Sequence, residues 1–341
     1  MPRSLPVVPP ATRSVVSPAS ERVAPRAVRL SITDRCDLAC IYCRPNRHDG
    51  YLPAAHRLDA DAWQTLVEAL AGQGVRRVRL TGGEPLVHPQ VVEIVRRVAA
   101  VPGIEDVALT TNGTSLQALA APLRQAGLRR VNVSLDSLEP GRFFRLTRGG
   151  RLADVLDGIA AARDAGFDEV KLNTVALRGE NDHELEGIVR WAWSVGATPR
   201  FLELMGVGQG ARMARHAMPY AEIRARLAPL LRDEAPAADA DRGPARYVAA
   251  RDGAHRIGFI TGASESFCAG CDRLRVTSDG QLRPCLATNE SVDVRRELRH
   301  GDHASVAARL EEAWAQKPDA ATWRGCGEEA ASDVDMRSTG G

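Results

Sequence analysis

No apolar run in this chain approaches the roughly 18 residues that a helix needs to cross a bilayer, so no membrane span is expected. An excess of one charge is missing too. The formal net charge of +2 is too small to mark a nucleic-acid or membrane-surface protein. Residues 1–25 are rich in Pro, Ser, Val and Arg but hold no continuous apolar stretch and no obvious cleavage site. They read as a disordered arm rather than a signal peptide, which predicts a cytoplasmic protein. Lysine is nearly absent: among 45 basic residues only Lys171 and Lys317 are lysines. Arginine is therefore the default surface cation, and a lysine inside an apolar strand asks for a specific reason. The histidines are scattered without a metal-ligand pair, and no lysine follows the glycine-rich residues 206–210 as it would in a phosphate-binding loop.

Cysteine is sparse but not scattered. Of seven cysteines, six fall into two groups: Cys36, Cys40 and Cys43 as C-x3-C-x2-C, and Cys268, Cys271 and Cys285 as C-x2-C-x13-C. Each group is one thiolate short of the four that usually hold a cubane iron–sulfur cluster, and an iron without a protein ligand can bind something else. A zinc ribbon fits the second group poorly, because the fourth ligand is missing at ribbon spacing and His255 and His300 are not adjacent to it. Cys326 stands alone and reads as incidental.

The 341 residues suffice for one large barrel or two ordinary domains. Short β-branched runs at 28–32, 75–80, 106–110, 130–135, 169–175 and 198–204 alternate with helical patterns at 60–73, 90–100, 115–126, 152–165 and 183–195. Six strands with helical crossovers predict a parallel sheet, closed or incomplete as a barrel. Polar residues recur at the carboxyl end of each strand: Cys36, Gly82 to Pro85, Thr110 to Asn112, Ser134 and Asp136, Asn173, then Glu203 and Met205. Active sites of α/β barrels are built there. Beyond the last strand we expect a helix at 220–231, an Ala/Asp/Pro linker, a strand at 256–261 running into the second cysteine group, and a final helix at 303–316. Trp191 and Trp193 are expected to pack. The expected divisions are an arm at 1–25, a barrel at 26–232, a linker at 233–245, a module at 246–326 and a tail at 327–341.

Residues 29–45, RLSITDRCDLACIYCRP, resemble the signature loop of radical S-adenosylmethionine (SAM) enzymes, and Gly82-Gly83-Glu84-Pro85 resembles their GGEP motif. The stretch FCAGCDRLRVTSDGQLRPCLA at 267–287 narrows the resemblance to the GTP 3′,8-cyclase family. So do RVNVSLDSL at 130–138, LTRGGRL at 146–152, VKLNTVALRGEND at 170–182, RFLELM at 200–205 and the terminal Gly-Gly. The resemblance implies an α/β fold: an incomplete (β/α)6 TIM-like radical SAM barrel with a C-terminal iron–sulfur module. It also implies two [4Fe–4S] clusters, one on Cys36, Cys40 and Cys43 with SAM, the other on Cys268, Cys271 and Cys285 with the purine of GTP. Tyr42, Gly83, Glu84, Ser134 and Met205 would contact SAM. Arg29, Arg79, Thr110, Lys171, Arg200, Arg273, Leu274 and Arg275 would face GTP, Arg273 and Arg275 supporting the cyclisation and Gly340 and Gly341 entering the site. The implied reaction takes GTP to 3′,8-cyclo-7,8-dihydro-GTP in the first step of molybdenum cofactor biosynthesis. A low-potential electron donor would precede it and cyclic pyranopterin monophosphate synthase would take the product; a homodimer is compatible with the sequence.

The residues support part of this independently. Arg79 and Lys171 interrupt apolar strands and Arg200 falls early in another. A buried unpaired cation costs several kcal/mol, so each needs either an internal carboxylate or an anionic ligand such as a triphosphate. Departures from the family pattern are Arg44 for a common Met, His88 for a common Arg and Asp272 for a frequent Asn. The rival readings are a radical SAM enzyme that modifies a peptide and a non-enzymatic iron–sulfur carrier or zinc module.

Overall fold

The computed structural model describes residues 25–44, 50–238, 243–265, 268, 271–318 and 336–339. Six strands pair in parallel, each with its successor: β1 (Ala27–Ser31), β2 (Arg77–Thr81), β3 (Asp106–Thr111), β4 (Arg130–Ser134), β5 (Glu169–Val175) and β6 (Thr198–Leu202). The crossovers are α1 (Ala60–Gly72), α2 (Val91–Ala100), α3 (Leu116–Gln125), α4 (Pro140–Thr147) with α5 (Leu152–Asp164), and α6 (Leu185–Ser194). All the expected strands and helices of the barrel are present. α4 is additional: Glu139 caps it by accepting from the backbone N–H of Gly141 and Arg142, and Pro140 opens it.

Successive side chains of a strand face opposite sides, and here the two sides differ in kind. Val28, Leu30, Val78, Leu80, Leu109, Val131, Val133 and Leu172 pack against helix residues such as Trp63, Leu66, Ile94, Leu123 and Val155 in the main core. The alternate positions Arg29, Arg79, Thr110, Asn132, Lys171 and Asn173 face inward. A smaller core joins α6 to the segments beyond β6, where Tyr220 meets Phe259 edge to face at 5.1 Å. Trp191 packs on the main core and Trp193 stacks on His255 at 4.9 Å, so both tryptophans pack.

After β6 come α7 (Gln209–Arg212), α8 (Tyr220–Leu227), β7 (Ala237–Ala238), β8 (Arg246–Ala249) and β9 (Arg256–Ile260). Then follow β10 (Arg273–Val276), β11 (Gln281–Arg283), β12 (Val292–Asp293), α9 (Arg295–Arg299), α10 (His303–Ala315) and α11 (Met336–Thr339). These strands form no separate sheet. β9 lies parallel to β6 and β10 parallel to β1, giving one sheet in the order β12-β11-β10-β1-β2-β3-β4-β5-β6-β9-β8-β7. The C-terminal part therefore flanks the six-stranded barrel on both sides instead of only closing its mouth, and the expected linker contributes an edge strand, β7. The segment between β9 and β10 passes from one flank to the other and carries Cys268 and Cys271. Gly258 of β9 makes room on the inner side: a Cβ there would lie 2.7 Å from Arg200 Cγ.

Candidate functional site

Two cavities, the first at the carboxyl ends of the strands and the second reaching from there to the start of β10, share a wall of Thr110, Asn173, Leu202, Met205 and Met336. The first, about 190 Å³, holds Cys36, Cys40 and Cys43 together with Tyr42, Gly83, Glu84, Ser134 and Met205. The second, about 110 Å³, holds Cys268, Cys271 and Cys285 together with Arg29, Arg79, Arg200, Arg273 and Arg275.

The first cysteine loop is fastened at several points. The backbone N–H of Gly83 donates to Thr33 O and that of Glu84 to Arg35 O, each at 2.7 Å. A Cβ on Gly83 would lie 2.3 Å from Arg35 O, so only glycine allows this approach. Asp37 accepts from Asn112 Nδ2 at 2.7 Å and Thr114 Oγ1 at 2.6 Å. Ile41 N donates to Leu146 O at 2.9 Å. Tyr42 donates its hydroxyl to Asp136 Oδ2 at 2.6 Å, and Asp136 Oδ1 accepts from Val175 N at 2.9 Å. Burial raises the Asp136 carboxyl to about 6 against the pull of these bonds. Glu84, also buried, accepts from Leu86 N, Thr111 Oγ1 and Asn112 N, and burial raises it to about 7.

Burial and the carboxylates of Glu84 and Asp37 push the Cys36 thiol up; burial and Asp136 do the same for Cys40. Both shifts disfavour thiolates, and the positive charge of a bound metal centre would favour them. Among the described residues no three His, Cys, Asp or Glu converge as ligands of one ion. A four-iron cluster demands less, one thiolate per iron, and three thiols lining one cavity fit it.

The second set differs in electrostatics. Burial raises the Cys271 thiol, but Arg273 and Lys317 outweigh it and bring it to about 7. The segment leading to Cys268 is held to the end of β6 by Glu203, whose buried carboxylate accepts from the backbone N–H of Ala263 and Ser264, both at 2.8 Å, and of Tyr220 at 2.6 Å. Around the cavity the arginines repel one another. Burial, then Arg275 and Arg273, lowers Arg29 well below the usual range; burial and Arg200 lower Arg79 to about 9; burial and Arg273 lower Arg275 to about 10. Arg200 donates to the neutral amides of Asn173 at 2.9 Å and Asn132 at 2.5 Å. Arg275 donates to Thr339 O at 3.1 Å.

Two residues expected at the nucleotide do not line either cavity. Lys171, 3% exposed, pairs with Glu169 at 2.7 Å and lines neither cavity. Leu274 alternates with Arg273 and Arg275 along β10, so its side chain falls in the core. Gly340, Gly341 and Cys326 lie outside the described residues.

Residues 30–192 match the family model of the radical SAM superfamily and residues 197–323 that of Molybdenum Cofactor Synthesis C. The GTP 3′,8-cyclase of Pelotomaculum thermopropionicum is 45% identical over 298 residues, 86% of this chain and 91% of that protein. That of Erythrobacter litoralis is 41% identical over 324 residues, 92% of this chain and 95% of that protein. The chain belongs to the GTP 3′,8-cyclase family. Among solved structures, Streptococcus suis SuiB bound to S-adenosylmethionine superposes with a TM-score of 0.57 at 15% identity, over 80% of this chain and 64% of that one, a likeness of fold.

Within this cyclase-family chain the departures acquire structural reasons. Asp272 binds Arg77 at 2.6 Å, and both line a small cavity at the amino ends of the strands that shares Arg29, Arg79 and Arg273 with the second cysteine cavity. Arg44, 2% exposed, donates to Tyr51 Oη at 2.9 Å, and Tyr51 donates to Cys36 O at 3.1 Å, so Arg44 joins the last cysteine to the first. His88 Nδ1 accepts from Gln90 N at 3.1 Å before α2 and lines neither large cavity. Sequence reasoning placed Asp136 and Asn112 at the strand ends without assigning them a contact, and left Lys317 and Met336 out of the site. For Lys317 the one signal was the rarity of lysine; for Asp136 it was a position beyond a strand end.

Proposed function

We propose that this chain is a GTP 3′,8-cyclase, a lyase that converts GTP to 3′,8-cyclo-7,8-dihydro-GTP in the first step of molybdenum cofactor biosynthesis. One observation carries the reading: a cavity with three thiols shares a wall with a cavity lined by five arginines. The family relatives support it, since they bear that activity's name over most of their length.

Bound to Cys36, Cys40 and Cys43, a four-iron cluster with SAM would supply a 5′-deoxyadenosyl radical. Tyr42, Gly83, Ser134 and Met205 would seat SAM, and Glu84 would act through the turn it braces. Arg29, Arg79, Arg200, Arg273 and Arg275 would take the triphosphate with forked donors, relieving their mutual repulsion. Thr110 lines both cavities and would meet the nucleotide where they join. Cys268, Cys271 and Cys285 would hold a second cluster against the purine. The task of these side chains is orientation and exclusion of water, with ribose C3′ turned to the SAM cavity and purine C8 within reach of C3′. A cytoplasmic low-potential electron donor and the synthase that takes the product complete the setting.

Anaerobic incubation of reconstituted protein with GTP, SAM and dithionite should give the cyclised nucleotide by mass spectrometry. Deoxyadenosine without a GTP-derived product would remove the cyclase assignment and leave the superfamily. The tail belongs to the same reading: Met336 lines both cavities and the carbonyl of Thr339 meets Arg275. Deleting Gly340 and Gly341 should leave SAM cleavage largely intact and suppress the cyclised product; an unchanged yield would sink the tail's role.

A further inference from the structure

Lys317 is one of only two lysines in the chain, and the reaction as described leaves it unused. It follows α10, whose Val306, Leu310 and Ala313 are anchored in the main core. Its backbone N–H donates to Trp314 O at 3.1 Å, and its side chain, 8% exposed, passes over the Trp314 ring at 4.9 Å. The ammonium then donates to Arg273 O at 2.9 Å and Pro284 O at 3.0 Å.

Those two carbonyls belong to different arms of the second cysteine set. Arg273 lies two residues after Cys271, and Pro284 immediately precedes Cys285. An ammonium has three N–H donors. Two go to these carbonyls, and Lys317 also lines the cavity beside Cys271 and Cys285. The antiparallel pairing of β10 with β11, Arg275 opposite Arg283, brings these arms together but ends short of the cysteines, whose separation a cubane fixes closely. A buried cation bridging both arms beyond that pairing extends the constraint to the cysteines and adds a charge that favours thiolates and an electron-rich cluster.

We propose that Lys317 is the positioning residue of the second cluster, holding the Cys271 and Cys285 arms at cluster-bonding separation and fixing a positive charge beside it. The inference rests on the two-cluster reading above. The test uses full-length protein, reconstituted anaerobically, with iron and acid-labile sulfide counted per chain and cluster potentials read by electron paramagnetic resonance during redox titration.

Wild type should hold about eight irons and K317M about four, and any second cluster that K317M retains should titrate at a more negative potential. A wild type with only about four irons would overturn the two-cluster reading itself, before Lys317 is in question. Full iron and an unchanged second-cluster potential in K317M would overturn the Lys317 inference alone. In a C268A/C271A/C285A background, K317M should leave the first cluster's iron unchanged. Loss of that iron would mean that Lys317 supports the whole fold and would likewise overturn its assigned role.

Discussion

At the scale of single residues, the site is dominated by charges held where a folded chain would not choose to hold them. Arg79 is buried among other arginines and lowered to about 9. Replacing it by methionine removes the desolvation and the repulsion, so R79M should stabilise the metal-free protein by on the order of 1 kcal/mol. The same change should weaken GTP binding by at least about tenfold, because a forked phosphate donor is lost. Urea unfolding and calorimetric titration read the two effects; lower stability with undiminished affinity would contradict the argument.

Asp136 gives a pH signature. Burial raises its carboxyl to about 6 in the fold, above the ordinary aspartate value near 3.9. The folded state then binds more protons between those values, so this contribution is present at low pH and is lost as pH rises through about 6. Relative to D136N, metal-free wild type should therefore lose roughly 2–3 kcal/mol of stability between pH 4 and pH 7. A constant difference across that range would count against it. Legibility at this scale was uneven. Arg79 and Arg200 announced themselves by interrupting apolar alternation. Lys171 did so too, but Glu169 stands two residues earlier on the same strand and hence on the same face, and the structure pairs them at 2.7 Å. That spacing was visible in the sequence and pointed to an internal partner.

At the scale of elements, the local signals sufficed. Alternation identified β1 to β6 and amphipathic periodicity identified the crossover helices, with boundaries off by a residue or two, as helix fraying and strand ends dictate. α4 escaped because it is only 8 residues long and opens with Pro140 and Gly141, leaving too few residues to show a helical period. The contacts that assemble the first cysteine loop are also short-range in space, and Gly83 is the tightest of them. G83A should force the 33–36 backbone away from β2, destabilising the protein by about 2–3 kcal/mol. Iron at the first site should fall while that at the second is retained, and an intact first-site signal would show that the loop tolerates the shift.

At the scale of the whole molecule, pairing between distant strands was the part that local patterns could not reveal. A strand carries no mark of its neighbour when both are parallel and apolar on one side. Nothing in residues 27–31 or 273–276 alone specifies that β10 lies beside β1. Yet this pairing sets Arg29 opposite Arg275 and makes the second cavity a product of both ends of the chain. Deleting residues 246–341 removes β9 and β10 together and bares the edges of β1 and β6. Such a fragment should aggregate even though all six strands of the barrel proper remain; a soluble monomer by light scattering would refute this.

The same bracketing has a temporal meaning. During synthesis β1 emerges well before β10, and its outer edge stays unpaired until β10 has left the ribosome, 246 residues later. Cys36, Cys40 and Cys43 are thus made long before the strand beside them, and the arginine-lined chamber exists only when the last-made third of the protein has folded back onto the first.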